Sequence, residues 1–194
     1  VAIGVRGDSA WNNPEPEVVL AVDSRSRIVG ATLGNDVNLR DFEGRSALLL
    51  GKSKDNNGST AIGPFIRLFD DSFTLDDVRR ADLTLTVHGA DRFVLEGRST
   101  MREISRDPLE LVAQTTAMHQ YPDGFVLFCG TLFAPTQDRG APGSGFTHHV
   151  GDVVRIRSGK LGELVNRVEK SETLAPWRYG VRELMRHVGR GRGL

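Results

Sequence analysis

Pro14-Glu15-Pro16-Glu17-Val18-Val19-Leu20-Ala21-Val22 runs into a polar turn, Asp23 to Arg27, and out again as Arg27-Ile28-Val29-Gly30-Ala31-Thr32-Leu33. Two apolar, β-branched runs joined by a short polar link predict a strand hairpin. The prolines stand at the first residues of the leading strand, where no ladder N–H is needed. Upstream, Val1 to Val5 reads as a further strand. Downstream, Leu48-Leu49-Leu50 and Ala61 to Ile66 flank a loop rich in Lys, Asn and Gly. Leu83 to Val87 and Phe93 to Glu96 predict another hairpin, turned by His88-Gly89-Ala90-Asp91. Phe125 to Cys129 reads as a short buried strand. Val153 to Arg157, Ser158-Gly159 and Leu161 to Val168 predict one more hairpin.

Helices are fewer. Asp107-Pro108-Leu109-Glu110 is close to a capping box, with Asp as N-cap and Pro at the first helical position. Leu111, Val112, Thr115, Thr116 and His119 continue one face until Tyr121-Pro122-Asp123-Gly124 stops it. Trp177, Val181, Leu184, Met185 and Val188 share helical spacing, which predicts a C-terminal helix ending at Gly189. Beyond it, Arg190-Gly191-Arg192-Gly193 reads as a basic, frayed tail. Many short strands with few helices give a β-rich α+β fold. The division expected is one main domain over residues 1–172 and a helix with a basic tail over 173–194.

The 194 residues suffice for one domain with a real core. Lys plus Arg and Asp plus Glu are both 25, so the net charge is zero and argues against a nucleic-acid or membrane-surface partner. No apolar run is long enough to cross a membrane, and no signal-peptide pattern opens the chain, so cytoplasm is the default. The single cysteine, Cys129, allows no internal disulfide, and its apolar surroundings read as those of a small buried hydrophobe. Val1 is not an initiator Met, and the first strand reads as already under way. The expectation is a C-terminal piece of a longer protein.

Glu15 and Glu17 are two apart on a strand, so their side chains share a face. Like charges that close raise each other's pKa, and either solvent or a cation relieves them. Asp36 lies at the end of the returning strand, which can come back beside the start of the first. Three carboxylates plus waters would make a hard-oxygen site of the kind magnesium prefers. An exposed polar strand face fits the Glu pair equally.

Beyond these patterns, Pro14-Glu15-Pro16-Glu17, Gly34-Asn35-Asp36-Val37 with Arg40-Asp41, Gly51-Lys52-Ser53-Lys54, Ile62-Gly63-Pro64 and Gly130-Thr131 occur in one order over residues 1–170. Together they resemble the fumarylacetoacetate hydrolase superfamily. Asp8-Ser9-x-Trp11, Asp41-Phe42-Glu43-Gly44 and Val165-x-Arg167-Val168 look most like its 2-keto-3-deoxy-D-arabinonate dehydratase branch. The resemblance implies a mixed β-roll or sandwich, as in that family's C-terminal catalytic domain, and a homodimer. It implies that Glu15, Glu17 and Asp36 bind Mg²⁺, with Mn²⁺ or Ca²⁺ as substitutes. Thr131 matches a threonine on the substrate carboxylate, Arg40 an arginine near the site, and Glu43 joins Thr131 as a substrate contact. Distance from Gly63-Pro64 selects Lys54 as the catalytic lysine, while the Gly-Lys-Ser match selects Lys52, which then serves in substrate binding.

The family's hydrolases use a His–Glu dyad whose His lies upstream of the Glu pair, and residues 1–14 contain none. His148-His149 does not match that position and reads as a solvated loop pair. Either a region upstream of this sequence supplies the general acid or base, or the chemistry is not hydrolysis. The likeness to the dehydratase branch implies a lyase that dehydrates a 2-keto-3-deoxy sugar acid, a small 2-oxo acid. The alternatives are a hydrolase that cleaves a C–C bond of an acylpyruvate, and a catalytically silent small-molecule scaffold.

Overall fold

The computed structural model describes residues 1–191. Its strands are β1 Ala2–Val5, β2 Asn12–Asn13, β3 Pro16–Val22, β4 Ile28–Asp36, β5 Asn38–Leu39, β6 Thr60–Leu68, β7 Asp82–His88, β8 Val94–Thr100, β9 Phe125–Phe128, β10 Val153–Ser158 and β11 Gly162–Lys170. Its helices are α1 Arg40–Glu43, α2 Leu50–Lys54, α3 Leu75–Arg79, α4 Pro108–Thr116 and α5 Val181–Gly191.

One sheet runs β1-β11-β10-β7-β8, with β1 parallel to β11 and the other pairs antiparallel. A second, wholly antiparallel sheet runs β6-β4-β3-β9. A two-residue ladder joins β2 to β5. Ile3, Leu20, Leu33, Leu85, Ile156 and Val168 are among the buried side chains of one core cluster drawn from both sheets. All seven residues of β3 are buried, which explains a nearly unbroken apolar run in place of strict alternation. Each fully buried Leu or Ile there contributes roughly 1.5–3 kcal/mol against exposure.

The predicted hairpins are β3/β4, β7/β8 and β10/β11, each antiparallel. Asp107 caps α4 as expected by accepting the Leu109 N–H at 2.9 Å. Its carboxylate also takes the Arg79 guanidinium at 2.6 Å, so the cap fixes α4 to α3. Three differences stand out. Phe125–Phe128 is an edge strand, only partly buried, because nothing pairs with β9 beyond β3. The Lys, Asn and Gly-rich loop contains the short helix α2. The last helix runs through Arg190 to Gly191 instead of ending at Gly189, and buries none of its side chains. The remainder of the expected basic tail, Arg192 and Gly193, lies outside the described residues. No described helix is long and apolar enough to cross a membrane.

Candidate metal centre

The site is made by hairpin register. Pro16 pairs with Asn35 and Glu17 with Gly34 across β3 and β4, and the Asp36 N–H donates to the Glu15 carbonyl at 3.1 Å. That pairing sets the end of β4 beside the start of β3. One carboxylate oxygen from each of Glu15, Glu17 and Asp36 falls within 4.8 Å of the other two. Gly34, opposite Glu17, lets the Phe128 ring and the Val19 side chain close over the hairpin, since a Cβ there would run into both. Asn35, fully buried, accepts the Glu15 N–H at 3.3 Å and donates to Asn166 Oδ1 at 3.2 Å. Asn166 lies on β11, so this amide pair ties the carboxylate hairpin to the other sheet.

Lys54 closes the cluster from the end of α2. Its Nζ lies 2.5 Å from Glu15 Oε2 and 3.0 Å from Asp36 Oδ2, and donates to the Asp36 carbonyl at 3.3 Å. The Ser59 hydroxyl donates to the Lys54 carbonyl at 2.5 Å and so secures the helix end. On the opposite side, the Gly130 N–H donates to Glu17 Oε2 at 2.6 Å. Gly130 has φ +88°, in the region where glycine is favoured. The Thr60 hydroxyl donates to Asp36 Oδ1 at 3.3 Å.

Burial pushes the Glu17 carboxyl up to about 7, with the charges of Asp36 and Glu15 adding to the rise and the Gly130 N–H opposing it. Glu15 is also raised, by burial first, although Lys54 pulls it down. Burial alone would lower Lys54, but the hydrogen bond and charge of Glu15 and the charge of Asp36 outweigh it and hold its pKa above the ordinary lysine value. Three ionised carboxylates against one ammonium leave two negative charges on a partly buried oxygen cluster. An all-oxygen, doubly negative donor set fits a hard divalent cation.

The other expected site residues are more dispersed. Lys52 is exposed, and it is its carbonyl, not its side chain, that accepts the Asn56 amide at 2.9 Å. The Arg40 guanidinium lies 4.7 Å over the Trp11 ring. Glu43 accepts the Asn38 amide at 2.7 Å, and its charge contributes to the raised pKa of Glu15. Thr131 follows Gly130, and its hydroxyl accepts the Phe133 N–H at 3.1 Å. The two sequence features around Ser9 and Asp41 meet, the Asp41 carboxylate accepting the Ser9 hydroxyl and the Ala10 N–H, each at 2.8 Å.

His148 corrects the sequence reading. Its side chain is fully buried, not solvated, with Nδ1 3.3 Å from Asp152. Asp152 in turn holds Arg139 at 2.6 Å, and Arg139 reaches Asp91 at 3.0 Å. His149 is the exposed member of the pair. Cys129 is partly buried, and burial pushes its thiol up to about 12, which keeps it protonated. Thr60, Asn35 and Asn166 escaped the sequence reading as site residues. Thr60 pairs with Asp36 across β6 and β4, and a strand read from Thr60 instead of Ala61 would have placed it there. The two asparagines gave no such signal, because their meeting depends on how the sheets face each other.

The sequence pattern of the fumarylacetoacetate hydrolase C-terminal family matches residues 13–169. The 2-dehydro-3-deoxy-D-arabinonate dehydratase of Saccharolobus solfataricus is 33% identical over 172 residues, covering 87% of this chain and 53% of its own. A probable 2-keto-3-deoxyxylonate dehydratase of Haloferax volcanii is 33% identical over 167 residues, covering 86% and 54%. The chain thus spans about half the length of the curated relatives it matches. A solved 2-keto-3-deoxy-D-arabinonate dehydratase, complexed with magnesium and 2,5-dioxopentanoate, superposes with a TM-score of 0.77 at 32% identity over 87% of this chain and 57% of that one. Fumarylpyruvate hydrolase from Pseudomonas aeruginosa, in complex with Mn²⁺ and pyruvate, has a TM-score of 0.63 at 21% identity over 88% and 71%, a likeness of fold alone.

Proposed function

The chain belongs to the fumarylacetoacetate hydrolase family, and on that premise we propose that it is the catalytic domain of a metal-dependent dehydratase for a 2-keto-3-deoxy sugar acid. The observation that carries this reading is the cluster of three carboxylate oxygens within 4.8 Å, with the Lys54 ammonium on two of the three residues. Glu15, Glu17 and Asp36 would hold Mg²⁺, and the same donors accept Mn²⁺ or Ca²⁺. A divalent cation held there would supply Lewis-acid chemistry, lowering the cost of negative charge on the keto oxygen of a 2-oxo acid.

The chain's own groups do the rest. Dehydration passes a C3 proton to a general base, places charge on the C2 oxygen, and expels the C4 hydroxyl, which leaves as water with a proton from a general acid. The hydroxy-enone left behind tautomerises to the dioxo acid, and the base's proton restores the acid. Lys54, kept protonated by its two carboxylate neighbours, supplies positive charge and a proton to that step and is not the base. The Gly130 N–H fixes one oxygen of Glu17 and leaves the other for a ligand. Thr131, next in sequence, is assigned to the substrate carboxylate, with Arg40 and Glu43 at the rim. Exposed Lys52 is assigned no contact with the reacting oxygens. That both curated relatives are named as dehydratases of 2-keto-3-deoxy sugar acids favours dehydration over hydrolysis by a His–Glu pair.

Residues 1–172 form the metal-dependent catalytic domain in this reading and 173–194 a C-terminal helix and basic tail, with α5 burying none of its side chains. The homodimer expectation finds support in the exposed Ile62, Phe65, Ile66 and Leu68 on edge strand β6, a face that a second copy would cover. A cytoplasmic location goes with the lone, unpaired thiol.

Calorimetric titration of the folded chain with Mg²⁺ and Mn²⁺, with and without oxalate as a 2-oxo-acid mimic, tests the site. Saturable binding that oxalate tightens and Glu17→Ala abolishes is expected. A folded chain that binds neither metal would sink the proposal. Product analysis then separates the chemistries, because dehydration yields one dioxo acid and hydrolysis yields two acids.

A further inference from the structure

A groove of about 940 Å³ opens beside the metal centre. Its floor is the segment from Lys54 to Thr60, and its far wall is Ala175 and Trp177. Lys54 and Thr60, which bond Glu15 and Asp36, also line the groove, so the groove adjoins the carboxylate cluster through these two residues. The other end is built from a segment beyond residue 169, where the family match stops. Trp177 is mostly exposed, but its ring is oriented, because Nε1 donates to the Tyr179 carbonyl at 2.8 Å.

We propose that this groove is the subsite for the tail of the substrate, the carbons remote from the oxo-acid end, and that it selects an uncharged, hydroxylated tail over an anionic one. The inference rests on the reading of the carboxylate cluster as a 2-oxo-acid site. Three features of the lining support it. The indole of Trp177 offers a flat apolar wall against which the C–H face of an extended polyol packs. The Thr60 hydroxyl and the Asn57 side-chain carbonyl, which takes no hydrogen bond among the described residues, offer acceptors to tail hydroxyls. The Asp55 carboxylate, exposed at the C-cap of α2 and without an ion-pair partner among the described residues, accepts hydroxyl protons and repels a phosphate or a second carboxylate. Lys54, the one cation in the lining, is already engaged by Glu15 and Asp36.

Three probes test this on the full chain with saturating Mg²⁺. They are oxalate, a six-carbon 2-keto-3-deoxy sugar acid, and the 6-phosphate of that acid. Oxalate reaches the metal end only, the two sugar acids differ at the tail by the phosphate's charge and bulk, and Asp55→Asn isolates the charge. Trp177→Ala is expected to weaken the unphosphorylated acid roughly five- to tenfold, the scale of one lost aromatic contact, and to leave oxalate unchanged. Ala175→Trp, which fills the groove without removing a contact, is expected to do the same. Asp55→Asn is expected to narrow the preference for the unphosphorylated acid over its phosphate by about tenfold, mostly through tighter phosphate binding. Circular dichroism checks the fold of each variant, and all three positions are exposed. Unchanged sugar-acid affinity in both Trp177→Ala and Ala175→Trp, with oxalate still bound, overturns the groove and leaves the metal site standing. Equal affinity for the two sugar acids in the unaltered chain overturns the tail selection. Failure of oxalate to bind at all overturns the groove and the metal site together.

Discussion

Glu17→Gln should make the metal-free protein more stable at alkaline pH while removing its response to magnesium. Glu17 is 4% exposed, and its pKa rises from the ordinary 4.5 to about 7. A carboxyl whose folded pKa lies above its unfolded one favours the fold when protonated. Its contribution is fully present below pH 4.5 and is lost as the pH rises through 7. At about 1.4 kcal/mol for each tenfold change in the proton equilibrium, the ionised carboxylate costs the metal-free fold roughly 3 kcal/mol at pH 8. Glutamine is near-isosteric and does not titrate. Its carbonyl can still accept the Gly130 N–H, and its amide can donate to Glu15 or Asp36. In EDTA, urea unfolding should therefore show variant and parent close together at pH 4.5 and the variant ahead by up to about 3 kcal/mol at pH 8, or roughly 6–12 °C in Tm. Titrating groups that do not interact with Glu17 cancel in the difference, and the repulsion from Asp36 and Glu15 is already contained in its raised pKa. Mg²⁺ at about a thousand times its Kd should reverse the order, because only the parent gains the roughly 4.1 kcal/mol that such an excess supplies. A stability difference independent of pH would refute the claim that buried charge at Glu17 is what the metal relieves.

Other outcomes follow from the rest of the fold. Arg139→Ala leaves Asp152, with 1% of its side chain exposed, without its guanidinium. It should cost about 3–5 kcal/mol by urea unfolding, and Arg139→Lys should recover only part of that, since one ammonium replaces a two-pronged contact to Asp152. Burial lowers the pKa of His148 below 6.5, with the charges of Arg139 and His149 adding to the fall against the pull of Asp152, so its ring should be neutral at pH 6.5 by NMR. The sign for stability is then clear. The unfolded chain binds more protons below pH 6.5, so the fold weakens as pH falls through that window, and a ring titrating at 6.5 or above would contradict this. Cys129, with its thiol near 12, should resist iodoacetamide at pH 8 in the native chain and react once unfolded.

How much of this was legible in the sequence follows from the range of each interaction. The β3/β4 hairpin and the carboxylate cluster were readable because both are local. Strand period two sets Glu15 and Glu17 on one face, and a short turn fixes the register that returns Asp36. Lys52 and Lys54 were harder to separate, because both sit in the last turn of a five-residue helix that the loop-like composition concealed. Only the direction of that helix decides which ammonium reaches the carboxylates. His148 was misread because Gly-rich flanks describe a loop's backbone and say nothing of what its side chains meet. The partners that bury it, Asp152 and the Phe146 ring, follow from the path of the loop over the sheet. The zero net charge misled in the same manner. It is a sum over the surface, and it conceals a doubly negative cluster at one end of the central hairpin. That local excess is what a divalent cation meets, because carboxylates removed from water are screened far less than exposed ones. Composition thus had nothing to say about a metal. The metal could be argued only from three positions, 15, 17 and 36, and the strand geometry that joins them.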